Sequence, residues 1–124
     1  MQGSSRILGG RYVLAVKDLK ASVRFYQDQL DMKTVWSGEG WHFLKREGFV
    51  VMLGECPDDL SAFETNNHSY FAYIEVDNID SLYREFTGRE IKMGELEDKP
   101  WGQREFAVTT LDGHRIMFGQ EITS

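Results

Sequence analysis

The feature that most constrains this chain is that its second half restates its first. Val16, Asp18, Leu19, Val23 and Tyr26 are matched by Val76, Asn78, Ile79, Tyr83 and Phe86 at a constant offset of 60. The order of predicted elements repeats with them. "RYVLAVKD" (11–18) alternates with period two and is rich in β-branched residues, which reads as a strand. It runs into "LKASVRFYQDQL" (19–30), where Leu19, Val23, Tyr26 and Leu30 recur at helical spacing behind Asp18, suited to accept from free helix N–H groups. Strands are predicted next over 33–38, 41–47 and 49–55. The order then restarts with a strand over 70–77 and a helix over 78–88, whose Ile79, Leu82, Tyr83 and Phe86 share a face. A short apolar segment around Ile91 and Met93 follows, then two strands within "PWGQREFAVTTLDGHRIMFG" (100–119) joined at the "LDG" turn. The reading is a duplicated βαβββ unit of the α+β class. Its parts are a flexible lead-in (1–10), a first module (11–56), a polar linker (57–69) and a second module (70–122), together one domain.

Composition narrows the class of protein. With 41% hydrophobic and 27% charged residues, the 124-residue chain has the balance of a globular domain rather than a disordered one. No apolar run approaches the roughly 20 residues of a membrane span, so no membrane partner is expected. "MQGSSRILGG" has one Arg and no long apolar core, so it does not read as a secretory signal. Cys56 is the single cysteine, which leaves no intrachain disulfide and makes a reducing cytoplasm the simplest location. No basic residue adjoins it in sequence to activate the thiol, and it reads as structural. A formal charge of −6 argues against duplex nucleic acid as a partner and favours cationic ligands.

Strand alternation divides the residues further. Tyr12, Leu14 and Val16 share one face of the first strand; Arg11, Val13, Ala15 and Lys17 share the other. In the fifth strand Tyr70, Ala72, Ile74 and Val76 oppose Phe71, Tyr73 and Glu75. The uniformly apolar faces are expected beneath the helices. The mixed faces are expected to line a cavity or an interface.

"LAVKDLKASVRFYQDQL" followed by a second half ending "PWGQREFAVTTLDGHRIMFG" resembles the vicinal oxygen chelate superfamily, which includes glyoxalase I, extradiol dioxygenases and bleomycin resistance proteins. The resemblance spans residues 11 to 122. It implies two βαβββ modules forming a curved mixed sheet with helices on the convex face. In metal-dependent branches each module supplies ligands from its first and last strands. By resemblance those positions fall on Arg11, Met52, Phe71 and Met117, none of which suits a hard or borderline divalent ion. No metal and no other cofactor is therefore expected. His42, His68 and His114 lack ligand spacing and read as ordinary polar or turn residues. The "DKPWGQREFAV" segment resembles the metal-free bleomycin resistance branch, which sequesters the drug and is dimeric, with pockets between subunits. That resemblance makes Trp101 a candidate stacking residue and Arg104 a candidate polar group of the cavity.

The candidate ligand-binding set is Trp36, Trp41, Phe43, Met52, Phe71, Tyr73, Trp101, Arg104 and Met117. Aromatic walls with carboxylates nearby (Glu39, Glu75, Glu97, Asp98) suit a flat, cationic, amphipathic small molecule. Three readings follow: a non-catalytic binding protein working as a homodimer, a metal-dependent lyase or dioxygenase with a non-standard site, or an interaction protein whose aromatic faces serve dimer contacts.

Overall fold

Each half of the chain folds a parallel strand pair around a helix and extends it with antiparallel strands. The structure, a computed structural model, describes residues 5–6, 8–58, 64 and 70–122, with Tyr70 as backbone only. The linker expected over 57–69 thus lies outside the described residues except at 57, 58 and 64, and so does His68. The first half holds β1 (Tyr12–Val16), α1 (Leu19–Arg24), a π-helical turn (Phe25–Gln29), β2 (Lys33–Gly38), β3 (Trp41–Arg46) and β4 (Phe49–Glu55). The second holds β5 (Tyr70–Glu75), α2 (Ile79–Phe86), β6 (Lys92–Met93), β7 (Glu97–Asp98), β8 (Gln103–Thr109) and β9 (Arg115–Glu121).

The first sheet runs β1-β4-β3-β2 and the second β5-β9-β8-β6, with β7 also pairing β8. β1 is parallel to β4 and β5 to β9, so both halves share one topology. The fold is the α+β arrangement of two βαβββ modules that the resemblance implies, its strands forming two mixed sheets with no ladder between them among the described residues. They meet through side chains instead. Tyr12 meets Phe71 edge-on at 5.7 Å, and Phe49 meets Phe118 at 6.4 Å.

The repeat explains how each helix begins. Asp18 accepts from Ala21 N (3.1 Å), and Asn78 accepts from Ser81 N (3.1 Å). A second cap comes from the last strand of each half: Leu19 N donates to Glu55 Oε2 (3.0 Å) and Ile79 N to Gln120 Oε1 (2.9 Å). Satisfying these free N–H groups ties each helix start to the end of its own sheet. The helix predicted over 19–30 changes character after Arg24, and the wider π turn lets consecutive Phe25 and Tyr26 both be buried.

The alternation expected from sequence holds in β1, while a register shift at Phe71 interrupts it in β5. Leu14, Val16, Val51, Leu53, Leu44, Val108 and Ile116 are buried beneath the helices, while Val13 is 61% exposed. Polar ties join the halves around this core. Arg46 grips Glu85 with two 2.8 Å bonds and also donates to Leu30 O (3.1 Å). Arg89 donates to Gln29 O (2.8 Å), and Lys17 N to Asp112 Oδ1 (3.3 Å).

Candidate ligand-binding faces

Four of the candidate residues gather on the outer face of the first sheet. Phe43 stands opposite Met52 on β4 and opposite Trp36 on β2. A register shift between Thr34 and Trp36 gives β2 an extra residue, which turns Trp36 to the side of Phe43. The Trp36 and Phe43 rings lie 4.9 Å apart, and Trp41 meets Phe43 edge-on at 6.3 Å. Trp36 lies across Gly38 and Trp41 across Gly54, where an added Cβ would come within 2.9 Å of the Trp41 ring. The glycines leave room for both rings to lie flat. Val13, opposite Met52, extends this apolar face, on which Trp36 and Trp41 remain substantially exposed.

The second sheet carries the matching set. Met117 on β9 stands between Tyr73 on β5 and Ala107 on β8. Phe71, Ala72, Tyr73, Trp101, Glu105 and Met117 line an open cavity of about 470 Å³, within the size range of small-molecule sites. Phe71 is set off by a register shift between Tyr70 and Ala72, and it packs edge-on against Tyr12 and the His114 ring (5.7 Å). Trp101 is the most exposed of the cavity aromatics, at 64%.

Glu105 organises the polar side of this cavity. Tyr73 donates through its hydroxyl to Glu105 Oε2 (2.8 Å), with the Gln103 side-chain amide 2.9 Å away. Trp101 Nε1 donates to the same Oε2 (3.2 Å). Desolvation first, then the bond and charge of Glu105, push the Tyr73 phenol up to about 12. The ring of Tyr73 is half-exposed, but its hydroxyl end is the part held against the sheet.

Arg104, by contrast, does not join the cavity. It points to the other side of β8, donating to Asp98 (2.5 and 3.1 Å) and to Asp80 in the first turn of α2 (3.2 and 3.4 Å). The cause is the two-residue period of the strand, which sends Arg104 and Glu105 to opposite faces. Glu105 was absent from the sequence-derived set. Along β8 it has the parity of Ala107, the residue opposite Met117, a relation that the hairpin register sets and strand alternation alone does not. Two of the carboxylates expected near the aromatics are already paired, Asp98 with Arg104 and Glu97 with Lys99.

Of the positions that the resemblance assigns to metal ligands, Phe71 and Met117 line one cavity. Met52 faces Val13 across the first sheet and Met117 faces Tyr73 across the second. Arg11 instead borders a cleft it shares with Glu75 and Asp77. A guanidinium, a phenyl ring and two thioethers do not fit a divalent ion. Among the described residues no three His, Cys, Asp or Glu side chains are grouped to hold one.

Residues 10–118 match the sequence model of the family described as the glyoxalase/bleomycin resistance protein/dioxygenase superfamily. The chain belongs to that superfamily. Among its members, a bleomycin resistance protein from Geobacillus stearothermophilus is 31% identical over 125 aligned positions, covering 90% of this chain and 95% of the relative. Two solved structures share the superfamily fold. A glyoxalase/bleomycin resistance protein/dioxygenase from Nocardioides superposes with a TM-score of 0.78 at 21% identity, covering 98% of this chain and 88% of the other. A bleomycin-binding protein from Streptomyces verticillus, solved with copper(II)-bleomycin, superposes with a TM-score of 0.75 at 22% identity, covering 98% and 100%. No helix among the described residues is long and apolar enough to cross a membrane.

Proposed function

We propose that this superfamily member is a non-catalytic, cytoplasmic binding protein that sequesters a planar, amphipathic, cationic antibiotic or metabolite of the bleomycin type. The observation that carries the reading is the cavity beside Trp101. Its walls are aromatic rings and a thioether, and its polar side is a buried carboxylate. Such a site favours stacking of a flat ring system and attraction of positive charge. The name of the Geobacillus relative and the ligand in the Streptomyces structure support bleomycin as the first compound to try. The exposed face of Val13, Trp36 and Trp41 supports a homodimer in which a second copy completes the binding region.

Titration with metal-free and copper(II)-bleomycin tests this reading. Saturable quenching of tryptophan emission, a raised thermal midpoint and chemically unchanged drug after prolonged incubation are expected. Absence of both quenching and a thermal shift with either form of the drug overturns this reading. Conversion of the drug removes the non-catalytic assignment.

A further inference from the structure

We propose that Glu105 is the specificity-determining residue of the cavity: its free carboxylate oxygen receives the cationic group of a ligand whose flat portion stacks on Trp101. This rests on the binding reading above and names the group within it that selects charge.

Burial comes first. Glu105 is 4% exposed, and a buried carboxylate is costly unless donors or a cation compensate it. Two donors reach it, the Tyr73 hydroxyl and Trp101 Nε1, and both are neutral and both bind Oε2. Oε1 keeps its acceptor capacity. Glu105 itself is one of the residues lining the cavity.

Among the described residues no Lys or Arg forms an ion pair with Glu105. Arg104, its neighbour in sequence, is spent on Asp98 and Asp80 across the strand. Lys99 pairs with Glu97 and lies 6.0 Å from the Trp101 ring centroid. The remaining walls, Phe71, Ala72 and Met117, are apolar and lower the local dielectric. A charge-assisted bond there is stronger than one at an open surface.

The two neutral donors also orient the parts. Trp101 is exposed and would be free to rotate, but its bond to Glu105 holds the indole edge toward the carboxylate. The stacking surface and the anionic acceptor are therefore joined before a ligand arrives, which lowers the ordering cost of binding. The geometry favours a planar system with an ammonium, amidinium or guanidinium group close to its ring. It disfavours acidic ligands of the same shape.

Glu105→Gln keeps the shape and an oxygen acceptor for both donors while removing the charge. With bleomycin as probe, its affinity should fall about 10- to 100-fold with the thermal midpoint little changed. Wild-type binding should weaken as salt rises, and the slope of that dependence should flatten in the variant. Glu105→Asp, which keeps the charge on a shorter arm, should recover part of the loss and guards against misfolding of the Gln variant. If the wild type binds and Glu105→Gln matches it within about twofold, with an unchanged salt slope, the assignment of Glu105 is wrong and the binding function stands. If the wild type itself does not bind, both fail.

Discussion

Tyr73 lies across Gly119 so closely that a Cβ on the glycine would overlap the tyrosine hydroxyl. The first sheet repeats the device, with Trp41 lying across Gly54. Gly54 and Gly119 each stand two residues after the methionine of their strand, so the duplicated unit keeps one flat place for one ring. On the second sheet that place lets the Tyr73 hydroxyl reach Glu105.

Gly119→Ala should therefore act through Tyr73. The backbone of Gly119 is not in the left-handed region, so alanine fits the strand but displaces the phenol. The expected stability loss is about 1 kcal/mol, the net worth of one hydrogen bond. The clearer readout is titration. In the wild type Tyr73 ionises near pH 12 rather than 10, and displacement should return it toward 10. Because the folded value is raised, its contribution is complete below pH 10 and disappears as the pH climbs to about 12. An ultraviolet pH titration that is the same in both proteins would show that the contact does not govern the hydroxyl.

Phe118→Ala should cost about 3–5 kcal/mol. Its ring contacts Phe106 and Phe86 in its own half and Phe49 in the other, at centroid distances of 5.6, 5.7 and 6.4 Å. Denaturant unfolding followed by fluorescence should show the loss. A cost below about 1 kcal/mol would mean that the halves do not depend on this contact.

Acid should loosen the join between the halves. The Arg46 bond, and after it the charges of Arg46 and Arg89, hold the Glu85 carboxyl below its usual 4.5 despite partial burial. A depressed folded value gives stability that is present above pH 4.5 and lost as the pH falls through the lower folded value. Glu85→Gln should lower the thermal midpoint at neutral pH and flatten its decline below pH 4.5. Parallel midpoint-against-pH curves for the two proteins would contradict this.

Val13→Asp tests the exposed face of the first sheet. Val13 is 61% exposed and opposes Met52, so the fold of one chain should tolerate the change. A self-associating face should not, because each copy would bury an unpaired charge. Light scattering should give twice the chain mass for the wild type and the chain mass for the variant. A monomeric wild type would assign this face another role.

Much of the architecture is written locally. Period-two alternation in β1 separates buried Leu14 and Val16 from exposed Val13, because a strand sends successive side chains to opposite faces whatever it packs against. Asp18 and Asn78 mark both helix starts because a cap bonds within its own turn. Tyr73 falls on the mixed face of β5 for the same reason, whereas Trp36 and Phe71 stand beside register shifts and Trp101 lies in the turn before β8.

What neighbours across a ladder do was not legible. Glu55 and Gln120 reach helix starts about 40 residues away in sequence, at separations of 36 and 41. The choice between Arg104 and Glu105 depends on which residue of β8 opposes Met117, and the hairpin register decides that. The repeated order of elements and the two faces of β1 are read from the chain itself. Packing between strands puts Glu105 beside Tyr73 and Trp101, and it joins the halves through rings and polar ties, with no ladder between the two sheets among the described residues. Periodicity is a property of one strand, whereas register and packing are relations between strands distant in the chain.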